Sequence, residues 1–214
     1  MTYWPIAPVI RAQAAIKMIV TNDDRQHGSE PPSAWVKRWS HLVAPGGVVL
    51  DVACGYGRHA RWFYERNHSV ALVDLAQAAI DSIASVIPAS ACEAAVADIE
   101  NGPWPFAGRQ FAAVVVTNYL WRPLFPTLLG SLQPGGVLIY ETFTQGNETV
   151  GKPSRADFLL RPGELLEVCQ TLRVVAFEEG FQQAPDCAAP RFIQRIAAVR
   201  ATSAGAAPTR YTLP

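Results

Sequence analysis

Half of the 214 residues are apolar and 17 are proline, enough for one well-filled core and short for two. Lys plus Arg and Asp plus Glu both total 18, with no run of like charge, which argues against electrostatic capture by nucleic acid or anionic lipid, a local patch excepted. No apolar stretch reaches the roughly 18 residues that span a bilayer, and the N-terminus lacks a secretory apolar core with a small-residue cleavage site, so the expected compartment is the cytoplasm.

Residues 1–32 read as an N-terminal arm, partly flexible, because the polar stretch from Thr21 to Pro32 has neither helical nor strand periodicity. Met18 is an alternative start, since the regular pattern begins only near Ser33, a good N-cap ahead of the aromatic face of Trp35 and Trp39. Residues 33–201 form the single domain, and 202–214 a flexible tail. Seven strands are expected, at Val48 to Val52, Ser69 to Val73, Glu93 to Ala97, Phe111 to Thr117, Gly136 to Thr142, Leu172 to Glu178 and Phe192 to Arg200. Helices fall between them at Arg58 to Arg66, Ala76 to Val86, Pro123 to Leu132 and Pro162 to Thr171, with Pro134, Gly135 and Gly136 ending the third. The last connection, Gln182 to Arg191, holds two prolines and is too short for a crossover helix, so the final strands should form an antiparallel hairpin. The pattern predicts an α/β fold: a doubly wound, seven-stranded, mostly parallel sheet with helices on both faces and an antiparallel C-terminal hairpin strand.

The first strand runs into Asp51-Val52-Ala53-Cys54-Gly55-Tyr56-Gly57-Arg58-His59-Ala60 and then a helix. Gly55 and Gly57 permit a tight turn and let a ligand lie on bare backbone, while Ala60 allows close helix packing. This G-x-G-x-x-A gains weight from Asp74, about 20 residues on at the end of the second strand, where a carboxylate suits a ribose diol. Asp51 decides between nucleotides, because a fixed carboxylate beside the turn repels a pyrophosphate and attracts a cation. S-adenosylmethionine has an ammonium and a sulfonium and no phosphate, so it suits Asp51.

Val49 to Gly57 resembles the first motif of class I S-adenosylmethionine-dependent methyltransferases, and Arg58 after it is similar to the Gly-x-Gly-Arg version of the tellurite-resistance type of small-molecule methyltransferases. The resemblance runs from about Trp35 to Arg200 in strand order and in the reversed final hairpin. It implies S-adenosylmethionine as cofactor and S-adenosylhomocysteine as product. Asp51, Gly55 and Gly57 would lie along the methionine moiety, Asp74 on the ribose and Leu75 against the adenine, with Asp98 accepting from the adenine amino group and Ile99 offering its amide. Cys54, Arg58 and Asn118 complete the implied cofactor set. A surface aspartate with no ligand is the other reading of Asp98.

Asn118, Tyr119, Leu120, Trp121 and Arg122 follow the fourth strand, at the edge where open α/β sheets bind ligands. They depart from the Asn-Pro-Pro-Tyr signature of amino-directed nucleic-acid methyltransferases, which counts against base methylation. Tyr119 and Trp121 are acceptor candidates or core aromatics. Glu141 is a base or amine-orienting group, or else a partner of Arg122 or Arg161. The long connection from Phe143 to Leu160 reads as a lid that brings Asn147 or Arg155 to the acceptor, with Tyr119, Trp121, Tyr140 and Arg161 as pocket walls. Cys54, Cys92, Cys169 and Cys187, like His27, His41, His59 and His68, have no metal-site spacing, and His59 reads as a residue of the first helix.

The expected activity is methyl transfer to an unidentified, small-molecule acceptor. Rival readings are an RNA or protein methyltransferase, a nicotinamide-dependent oxidoreductase on the same turn, and a cofactor-binding module without catalysis.

Overall fold

A computed structural model describes residues 30–183, 189–202 and 210–214. Most of the expected N-terminal arm, with Met18 and His27, lies outside the described residues, as do Cys187, part of the last connection and most of the tail. The chain opens with α1 (Ala34–Trp39), which is capped as expected: the Ser33 side chain accepts from the Trp35 N–H at 3.1 Å. Trp35 and Trp39, one turn apart, are both 1% exposed and meet edge to face. Emptying either position would cost about 3–5 kcal/mol.

Seven strands follow: β1 (Val49–Val52), β2 (Val70–Asp74), β3 (Cys92–Val96), β4 (Phe111–Thr117), β5 (Leu132–Phe143), β6 (Arg173–Gln182) and β7 (Arg191–Val199). Between them run α2 (Arg58–Tyr64), α3 (Gln77–Ala84), α4 (Phe125–Gly130) and α5 (Glu164–Val168). The sheet order is β3-β2-β1-β4-β5-β7-β6, with β7 antiparallel to both neighbours and every other pairing parallel. The doubly wound architecture and the final hairpin are as the sequence predicts.

Strand residues alternate between two cores. Val49, Leu72, Val115 and Ile139 face a cluster with Trp35, Ala60, Phe63 and Ile83 of α1, α2 and α3. Leu50, Val73, Val116 and Tyr140 face the other, with Phe125, Leu128 and Leu165 of α4 and α5. β1 and β4 are buried on both sides, as parallel strands between two helical layers must be, which explains their continuous apolar runs.

The third helix departs from expectation. It is split into a 3-10 turn (Arg122–Leu124) and α4, and it ends at Gly130, before Pro134. Gln133 to Gly136 bulge out of β5, because the register jumps from Phe111↔Leu132 to Ala113↔Val137. Gly136 is required there: a Cβ would stand 2.8 Å from the Gln133 and Phe111 carbonyl oxygens. Among the described residues no helix is long and apolar enough to cross a membrane. Cys54, Cys92 and Cys169 are free thiols.

Candidate cofactor and acceptor site

β1 ends in the turn that opens α2, and three of its residues have left-handed backbone: Ala53 at φ 51°, Gly55 at 51° and Gly57 at 73°. The two glycines serve different purposes. A Cβ on Gly57 would stand 2.6 Å from the Ile83 side chain, so this glycine lets the turn pack on α3. A Cβ on Gly55 would meet nothing within 4 Å, so that side of the turn is open to a ligand. Asp74, at the end of β2, braces the turn from below: its Oδ2 accepts from the Gly55 N–H at 2.8 Å and its Oδ1 from the Ala76 N–H at 2.9 Å. Each oxygen keeps a second lone pair for a hydroxyl.

Beside Asp74, Leu75 is 57% exposed, and Ile99, three residues past β3, is half-buried. Asp98 caps its own turn. Its Oδ1 accepts from the Glu100 and Asn101 N–H groups and its Oδ2 from the Asn101 side chain, all at 3.0 Å. The Asn101 side-chain bond, then the backbone bonds, hold its carboxyl below the usual range.

Asp51 is 2% exposed, and its Oδ2 has no hydrogen-bond partner. Burial pushes its carboxyl up to about 8, against the pull of Arg58 and a hydrogen bond from the Ala60 backbone, with the Asp74 charge adding to the rise. A buried carboxyl with an unpartnered oxygen fits a cationic group, whose charge favours its ionised form, better than a phosphate. The residues present therefore fit S-adenosylmethionine. His59 of α2 is equally buried; its Nε2 accepts from the Ser33 N–H at 3.2 Å, and its Nδ1 stands 4.0 Å from Asp51 Oδ1. Burial and then Arg58 push the imidazole down to about 3, so it is neutral at physiological pH. Arg58 itself reaches Glu30 at 3.3 Å.

After β4, Asn118 is exposed in left-handed backbone at φ 55° and donates its N–H to the Glu141 carbonyl. Tyr119 and Trp121 are half-buried there; the Tyr119 hydroxyl donates to Glu100 at 3.3 Å, and burial, then Glu100, pushes the phenol up. Burial also pushes the Cys54 thiol up.

Several expected acceptor residues are engaged elsewhere. Arg122 is a clamp: its Nε and Nη2 donate to both oxygens of Glu164 at 2.7 and 2.9 Å, and it reaches the carbonyls of Asp157 and Leu159. Tyr140 lies in the α4 and α5 core and donates its hydroxyl to the Tyr119 carbonyl at 2.7 Å, so it supports that loop from within. Asn147 is 1% exposed, donating to the Pro153 carbonyl and accepting from the Phe192 N–H, which fixes the start of the expected lid. Arg155 is exposed and paired with Asp157, and Arg161 with Glu164 and Glu167.

Glu141 pairs with neither Arg122 nor Arg161. It is 2% exposed, accepts from Arg195 at 3.1 Å and from the Ser33 hydroxyl at 3.0 Å, and lies 3.9 Å from Arg191. Arg195 reaches on to Glu178, which Arg38 also meets. Ser33, His59 and Arg195 are neighbours of the site that no sequence motif marks. A local sign of them is the pair Gln194-Arg195, two polar residues inside the apolar run of β7.

This sheet order, with its reversed seventh strand, is a fold shared with solved S-adenosylmethionine-dependent methyltransferases. Residues 49–136 match the family model described as a methyltransferase domain. Three solved structures share the fold. TehB from Haemophilus influenzae has a TM-score of 0.63 at 16% identity, over 78% of this chain and 61% of that one, so this chain spans about three-fifths of its length. A SAM-dependent methyltransferase from Mesorhizobium loti has 0.60 at 18%, over 76% and 97% of the two chains. The glycopeptide N-methyltransferase MtfA, complexed with S-adenosylmethionine, has 0.56 at 18%, over 80% and 95%. No curated protein matches the sequence.

Proposed function

We propose that the chain methylates a small molecule in the cytoplasm, with residues 33–201 as the working domain. The observation that carries the reading of the cofactor site is the unpartnered, buried Oδ2 of Asp51 in β1, the strand that leads into a turn whose Gly55 has open space on its Cβ side. In this reading Asp51 meets the ammonium of S-adenosylmethionine, Asp74 shares its oxygens with the ribose hydroxyls, and Leu75 and Ile99 flank the adenine, with Asp98 near its amino group. Cys54, Arg58 and Asn118 border the same pocket. The cofactor supplies an electrophilic methyl whose transfer discharges a sulfonium.

The protein's contribution is then position and exclusion of water. Holding a nucleophile at about 3–3.5 Å from the methyl in a dry pocket supplies much of the rate. Tyr119 and Trp121, at the end of β4, are the side chains left to shape the acceptor pocket. Neither Tyr119 nor Cys54 is poised to take a proton, and Glu141 is held by Arg195 and Ser33. That favours an acceptor atom that arrives with its lone pair free, such as a thiolate or another soft nucleophile. A balanced charge supports an acceptor other than nucleic acid, as does a glycopeptide methyltransferase among the solved neighbours. The test is mass spectrometry of a metabolite extract incubated with the protein and labelled S-adenosylmethionine. A labelled small molecule is expected; label found only in RNA or protein fractions would overturn the reading.

A further inference from the structure

We propose that His59 is a positioning residue: anchored at Nε2 by the Ser33 backbone N–H, it directs its Nδ1–H at Oδ1 of Asp51, so that Oδ2 is the oxygen left to meet the cofactor's ammonium. The inference rests on the reading of Asp51 given above and adds to it the device that orients the carboxylate.

The two ring nitrogens have different tasks. Because Nε2 accepts from the Ser33 N–H at 3.2 Å, a neutral ring must carry its proton on Nδ1, the nitrogen 4.0 Å from Asp51 Oδ1. That separation exceeds a hydrogen bond. The N–H dipole attracts Oδ1 without saturating the carboxylate, and Oδ2 has no partner. The groups acting on Asp51 besides His59 are Arg58 and the Ala60 N–H of α2 and Asp74 of β2; Arg58 also acts on His59.

Ser33 is itself fixed. Its hydroxyl oxygen accepts from the Trp35 N–H and donates to Glu141, which Arg195 of β7 holds. The imidazole is thereby referenced to α1, β5 and β7 as well as to its own helix. Packing alone does not call for a histidine here, since a phenyl ring would fill the space without burying two ring nitrogens.

The test is calorimetry with two ligands, S-adenosylhomocysteine, which has the ammonium, and 5′-methylthioadenosine, which lacks the amino-acid end. His59→Phe should weaken the first by about tenfold while the second stays within about twofold. His59→Asn, which restores a donor near the Nδ1 position, should recover most of the loss.

Ser33 gives an independent arm should the phenylalanine variant fail to fold. Its φ of −48° suits proline, so Ser33→Pro removes the N–H, while Ser33→Ala removes the hydroxyl and keeps the N–H. The proline variant should lower the affinity ratio of the two ligands and the alanine variant should not. Equal losses for both ligands in His59→Phe, or equal ratios in the two Ser33 variants, overturn the inference. An unchanged ratio in Asp51→Asn would instead sink the reading of Asp51 on which it stands.

Discussion

Asp51 sets function against stability. Its folded-state pKa, about 8, is raised above the ordinary 3.8. The stabilising contribution of its proton is therefore complete below about pH 4 and is lost as the pH rises through 8, where a charge must be kept buried. Asp51→Asn should unfold at higher urea than the parent at about pH 8.5, by roughly 2 kcal/mol, with no gain near pH 4. In the proposed reading of the site, the ammonium of the cofactor favours the ionised form. Affinity for S-adenosylhomocysteine should then rise between about pH 6 and 8, by up to tenfold per unit, and flatten in the asparagine variant. A flat profile in the parent would place the ammonium away from Asp51. Asp74 has two tasks, since it braces Gly55 and Ala76 and is also proposed to meet the ribose. Asp74→Ala should weaken adenosine and S-adenosylhomocysteine alike, by about 1.5–3 kcal/mol in calorimetry; an unchanged affinity in a folded variant removes the ribose role.

Among the elements, the connection after β5 is the one whose expected behaviour has changed most. Both ends are fixed: Thr144 bridges to Leu160, Gln145 donates to the Leu160 carbonyl, and Arg122 holds the carbonyls of Asp157 and Leu159. Any closure is confined to the exposed stretch 148–157, with Asn147 as its fixed root. In hydrogen exchange, S-adenosylhomocysteine should slow the Gly55 turn and residues 148–157 and leave Thr144 and Leu160, already protected, unchanged. Protection limited to the turn would make the connection a static cover.

The contrast between turn and connection shows what a sequence makes legible. The strands, the Ser33 cap and the glycine turn after β1 are local patterns, in which period and glycine spacing carry the signal. The acceptor side joins residues far apart in the chain, such as Glu141 and Arg195, 54 positions apart, or Arg122 and Glu164, 42 apart. No short window contains such a pair. The bulge at Pro134 to Gly136 is hard to place for a related reason: proline and glycine signal a break, but this break falls inside β5, where the carbonyls of Gln133 and Phe111 crowd the backbone.

At the scale of the molecule, the sheet joins a half read from the motif, β1 to β4, with a half closed by the reversed β7. That reversal has a consequence for how the chain emerges during synthesis. Until residues 173–199 exist, β5 is the outer strand, and a bare strand edge invites pairing with the wrong chain. Glu141, directed inward and still without the guanidinium of Arg195, puts a charge on that edge where a foreign strand would have to bury it. The finished protein then neutralises the guard with the strand meant to cover it. Glu141→Leu should therefore aggregate more during refolding, seen as light scattering, while Arg195→Leu should refold without aggregates but lose roughly 3 kcal/mol of stability through the stranded carboxylate. Equal scattering from the two variants would mean that the charge protects nothing before its partner arrives.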